Sequence, residues 1–151
     1  MRWTKVRKLV HDSFADSVRG RVKVNITNLP RAPHSRSRQG WITVDGMTVA
    51  HAGTQTVTLS LPIAHETQPP QVVTLDNIPW DPMFGELQNS CWQYLQSSLN
   101  DSLRSSDPFV SSLAVLNGKV GRTRLRRALT WELHPLTRAM LNFRLEAEAQ
   151  S

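Results

Sequence analysis

The sequence predicts an α+β fold: an N-terminal helix, an antiparallel sheet of three to five strands, and a helical C-terminal half packed on one sheet face. Three changes of period carry that prediction. Apolar residues recur every three or four positions at the start of the chain, every second position through the first half, and every four positions again from Leu87 onward. The 151 residues suit a single domain spanning 1–151, since a chain of this size buries roughly two thirds of its unfolded surface.

The opening helix is predicted from Trp3, Val6, Leu9, Val10 and Phe14, which share one face, with Lys5, Arg7, Lys8 and Asp12 on or beside the other. Its pattern ends at Arg19-Gly20, where glycine tolerates positive φ. Val22, Val24 and Ile26 then alternate with Arg21, Lys23 and Asn25, a half-buried strand with its basic side in water. A polar, proline-broken loop follows, carrying Arg31, Arg36 and Arg38 and expected to be exposed and mobile. Gly40 to Val44 is the second strand, and Asp45-Gly46 a tight-turn signal that sends Met47 to Ala50 back antiparallel. Thr54 to Leu61 alternates as a further strand closed by Pro62, and Val72 to Leu75 is a short edge strand.

Asp81-Pro82 is a helix start, the carboxylate capping free amides and the proline preset for the first turn. The long helix it opens runs through Leu87, Cys91, Leu95, Leu99 and Leu103, with Trp92 and Tyr94 widening the stripe. Asp107-Pro108 repeats that signal for a short helix of Phe109, Leu113 and Leu116, which Asn117-Gly118 ends. A basic segment then places Lys119, Arg122 and Arg126 on one helical face with Leu125 and Leu129 inward, although Gly121 weakens its helicity. After His134-Pro135, Leu136, Met140, Phe143 and Ala147 form the stripe of a final helix.

Charge is divided along the chain. Residues 1–40 hold ten Lys/Arg against two acids, residues 41–118 one against seven, and residues 119–151 seven against three, giving the net +6. Two basic ends thus flank an acidic middle, which attracts a polyanion if the ends share a surface and pairs internally if they do not. No apolar run approaches the roughly 20 residues that span a bilayer, and no secretory signal is recognisable. With Cys91 as the single cysteine, the expectation is a cytoplasmic, non-membrane protein without a disulfide or a cysteine zinc site.

The residues just read resemble a family of small, uncharacterised bacterial proteins. The likeness lies in Trp3-Thr4-Lys5, the run Phe14 to Val22, Gly40 to Gly46, and a C-terminal His134-Pro135-Leu136 followed by Arg144, Leu145 and Glu148. It is carried by both ends of the chain and is poor over residues 29–39 and 47–80. The resemblance implies one intact domain and a bacterial source; it supplies no activity and no catalytic residue.

The five histidines, His11, His34, His51, His65 and His134, lack the close spacing of a helical metal pair, so no metal and no cofactor is expected. His11, Asp12 and Asp16 form the acid-base cluster of the opening stretch, and would serve a small enzyme if a pocket gathered them. The favoured reading is structural, with Asp16 tethering Arg19 and Asp12 facing Lys8. Ser13 and Ser17 read as small residues that permit close packing, and Cys91 as a packed thiol. Trp3 and Trp92 belong to apolar stripes and are expected in the core. Trp41 points to the strand face opposite Ile42 and Val44; the favoured reading has both sheet faces partly covered, and an exposed Trp41 beside the arginine loop would offer a stacking surface with cations next to it.

The leading function is therefore a non-enzymatic binding domain for nucleic acid or another polyanion, using Arg7, Lys8, Arg21, Lys23, Arg36, Arg38, Trp41, Arg122, Arg126 and Arg127. No recognition helix or nucleic-acid motif is evident. The alternative is a protein-interaction module, with an acidic protein or a second copy of the chain as partner and a homo-oligomer as the result.

Overall fold

The computed structural model describes residues 2–26, 40–52, 57–61, 71–74 and 87–150, with only the backbone described for residues 51, 52, 57–61 and 71–74. It is α+β. The order is α1 (Trp3–Ser13), β1 (Val22–Ile26), β2 (Gly40–Val44), β3 (Met47–Ala52), β4 (Val57–Leu61), β5 (Gln71–Thr74), α2 (Leu87–Gln96), α3 (Leu99–Leu103), α4 (Pro108–Leu116), α5 (Arg122–Ala128) and α6 (Pro135–Gln150). Two compact units form: Met1–Gly20 with Ser90–Ser151, and Arg21–Asn89.

In the second unit the five strands lie in sequence order, each antiparallel to the next. Period-two alternation decides which face is buried: Val22, Val24, Ile42 and Val44 are buried, whereas Lys23 is exposed and Trp41 half-buried on the other side. The β2–β3 turn has positive φ at both Asp45 and Gly46, the geometry that suits a two-residue hairpin. A register shift at Ile42/Thr43 then sets Ile42 opposite Ala50 and Thr43 opposite Thr48. At Gly40 a Cβ would come within 2.7 Å of Leu87 Cβ, so glycine is required for that approach.

In the first unit α4 is the centre. All nine of its residues are buried. Asp107 caps it, Oδ1 accepting from Phe109 N–H at 2.9 Å and Oδ2 from Ser90 Oγ at 2.6 Å. Ser111 Oγ meets Thr137 Oγ1 of α6 at 2.7 Å. Burial pushes the Asp107 carboxyl above its ordinary pKa, against the hydrogen bonds from Ser90 and the backbone. Burial likewise raises the Cys91 thiol, helped by the charge of Asp107, so this is an inert packed sulfur.

Several expectations are corrected. The first helix stops at Ser13 rather than at Arg19-Gly20: Phe14 turns extended, fully buried, and pairs with Asn117 in an isolated antiparallel bridge. Ser13 and Ser17 are hydrogen-bonding groups, not spacers, since Ser13 Oγ donates to Val10 O and meets Tyr94 Oη at 2.7 Å, while Ser17 Oγ donates to Glu148 Oε1. The long helix from Leu87 to Leu103 is two helices, broken where Ser98 Oγ accepts from Asp101 N–H and starts α3. Trp92 is 38% exposed and Trp3 half-buried. The buried face of α2 is Leu87, Ser90, Cys91 and Tyr94, and Trp92 does not fall on it. Gly121 caps α5 instead of interrupting it. The Asp81-Pro82 start and the loop with Arg36 and Arg38 lie outside the described residues.

Candidate functional site

An open cleft of about 840 Å³ is bounded by the end of α1, the turn after it, the turn around Gly118 and the far end of α6. The chain builds it from the Phe14–Asn117 bridge, which is extended by Ala15 N–H to Leu116 O at 2.9 Å and Gly118 N–H to Ser13 O at 2.9 Å. Tyr94 Oη braces the same place, accepting from Asn117 Nδ2 at 2.7 Å. Burial raises the Tyr94 pKa, partly offset by its bonds to Ser13 and Asn117.

Arg144 is the anchor beneath. Only 3% exposed, it donates through Nη1 to Val115 O at 2.9 Å and Asn117 O at 2.8 Å. Its Nη2 donates to Val120 O at 2.9 Å and its Nε to Glu148 Oε1 at 2.9 Å. One guanidinium thereby satisfies the last carbonyls of α4 and its following turn, a task suited to its planar fork. Asp12 is held below its ordinary pKa by the hydrogen bond from Lys8, and Glu148 by that from Arg144. Both carboxylates therefore stay ionised and paired near neutral pH, which suits architecture better than proton transfer.

The His11, Asp12 and Asp16 cluster is divided among partners: Asp12 pairs with Lys8 at 2.7 Å, Asp16 with Arg19 at 2.8 Å, and the His11 ring lies 5.7 Å from that of Phe14. His134 caps α6, Nδ1 accepting from Leu136 N–H at 3.1 Å, and burial lowers its pKa. Among the described residues no group of three or more His, Cys, Asp or Glu is placed to hold a metal ion, and no helix is long and apolar enough to cross a membrane.

The residues expected to bind a polyanion fall into two groups. In the sheet unit, Arg21 grips Asp45 through two bonds of 2.8 Å, while Lys23 stands across from Thr43 and Trp41 between Asn25 and His51 on neighbouring strands. In the helical unit, Lys8 is paired with Asp12, Arg7 is half-buried, and Arg122 Nη2 donates to Glu148 O at 3.1 Å. Arg126 and Arg127 are exposed in the last turn of α5 and have no side-chain partner among the described residues. Lys119 is also exposed, and Arg124 Nη2 donates to Asn100 Oδ1 on α3.

Arg144 stood in the C-terminal motif without a role; its signal was a cation on the apolar stripe of Leu136, Met140 and Ala147. Sequence reasoning passed over Arg104 and Trp131, which meet with the guanidinium carbon 4.0 Å from the ring centroid.

The model of the SF0329 protein family matches residues 2–76 and 85–145. The match runs through residues 29–39 and 47–76, stretches expected to show little likeness to the family. No curated protein and no solved structure matches the chain.

Proposed function

This chain belongs to the SF0329 protein family, and we propose that it works by binding a polyanion through α5 and the turns that flank it. The observation that supports this is local. Four of the seven residues of α5 are arginine and none is acidic, and Arg126 and Arg127 are exposed and have no side-chain partner among the described residues. Over residues 119–145 the chain carries seven Lys/Arg against the single acid Glu132.

Such a surface neutralises a few phosphates. Contacts of this kind give dissociation constants on the order of 10⁻⁴ to 10⁻⁶ M at physiological salt, with log affinity falling by about 0.9 per phosphate for each decade of salt on duplex DNA. The test is a salt titration with single- and double-stranded DNA and RNA, read by fluorescence anisotropy beside a light-scattering mass. Steeply salt-dependent binding supports the proposal. No binding at low salt together with a dimeric mass moves the reading to contact between copies of the chain.

A further inference from the structure

We propose that the preferred polyanion is a single-stranded nucleic acid, one of whose bases stacks on the Arg104–Trp131 pair; this rests on the polyanion reading of α5. The pair adjoins the end of α5. Arg124 reaches Asn100 and so ties α5 to α3, and Arg104 is the residue that closes α3. Trp131 sits in the turn that leaves α5, with its N–H bonded to Ala128 O at 3.1 Å. That turn is pinned from α6: Arg138 Nη2 donates to Trp131 O at 2.9 Å and Nη1 to Leu129 O at 3.4 Å. Arg127 lies in the last turn of α5, shortly before Trp131 in the chain.

The chemistry follows from what each group lacks. Arg104 is exposed, and among the described residues it has no carboxylate; its contact is the indole ring. An arginine held over tryptophan presents one more flat, cationic face on which an aromatic base can lie, or it can yield that place on the ring to the base. Duplexes keep base faces inside their own stack, whereas single strands expose them. On this proposal Arg126 and Arg127 supply cations for phosphate, and the pair beyond the end of α5 a stacking platform for a base.

The experiment compares oligothymidylate, oligouridylate, a duplex of matched length and inorganic polyphosphate, using anisotropy and intrinsic tryptophan fluorescence. Wild-type protein, Trp131→Leu, Arg104→Gln and the double variant Arg126→Glu/Arg127→Glu are titrated, with circular dichroism as the folding control. The expected result is tighter binding of a single strand than of duplex or polyphosphate, with quenching of tryptophan emission. Trp131→Leu should lose about fivefold or more on single strands, the scale of one stacked base, and leave polyphosphate binding unchanged. Should that variant misfold, Arg104→Gln carries the same comparison. Equal affinity for all four ligands, or a parallel loss on all of them in Trp131→Leu, overturns the stacking proposal and leaves the polyanion reading intact. Absence of binding to every ligand at low salt overturns both.

Discussion

Arg144 and the arginines of α5 come from the same basic stretch of sequence, yet the protein uses them in opposite ways. Arg144 is buried and spends its donors on three main-chain carbonyls and Glu148. Arg126 and Arg127 are exposed at a helix end that favours cations, and no side chain among the described residues pairs with them. Net charge thus overstates the cationic surface, because part of it is structural. What a basic segment offers a ligand is the charge that the fold itself does not use.

Arg144→Met should break that contrast most severely. It withdraws donors from three carbonyls and a carboxylate, of which Asn117 O keeps Val120 N–H and Glu148 keeps Ser17 Oγ, so a loss of about 2 kcal/mol or more is expected in urea unfolding; a loss below about 1 kcal/mol would place Arg144 with the surface arginines. Next comes Asp107→Ala, expected to cost about 2 kcal/mol, since it removes a helix cap and strands the Ser90 hydroxyl. The same residue gives a pH signature. Its folded pKa lies above the ordinary 3.8, so the folded state takes up its proton first and stability falls as pH rises through that folded value. Glu148 has the opposite sign: its folded pKa lies below the ordinary 4.5, so its contribution is present above 4.5 and is lost as pH falls through the lower value. Thermal melts of Asp107→Asn against wild type between about pH 4 and pH 7 should move in favour of the variant as pH rises. An unchanged difference would show that Asp107 does not titrate in that window.

Arg21→Ala should cost no more than about 1 kcal/mol, because its pair with Asp45 is solvent-screened although bidentate. That contribution fades as acid protonates Asp45, whose pKa the fork of Arg21 holds down. Comparably small on stability is Arg126→Glu/Arg127→Glu, expected to lower the unfolding free energy by about 1 kcal/mol or less, through the helix end, while removing polyanion binding. Retained binding would transfer the site to other cations.

The features legible in the sequence are those with local causes. Asp107-Pro108 and Asn117 bracket α4 as expected, Asp45-Gly46 makes its turn, and the valines of β1 and β2 choose the buried face by parity. The end of α1 was hidden because helical spacing continues past Ser13; the bridge from Phe14 to a residue more than a hundred positions away overrides it. The break between α2 and α3 did have a signal, Ser98 followed by Asp101, masked by the regular leucines on either side. For the candidate site, the arginines of α5 could be read directly. The role of Arg144 could not, since its carbonyl partners lie 24 to 29 residues upstream, and neither could the meeting of Arg104 with Trp131.

The helical unit is made of two separated pieces of chain, with residues 21–89 between them. On the ribosome this imposes a delay. The segment through Phe14 emerges first, but Asn117 and Arg144, which complete its surroundings, follow only after the whole intervening stretch has been made. At about 5–20 residues per second, synthesis of residues 21–89 alone takes roughly 3 to 14 s. During that time the apolar face of Val6, Val10 and Phe14 has none of its later partners from residues 90–151. This interval is when a nascent chain is most exposed to chaperones or to other unfinished copies.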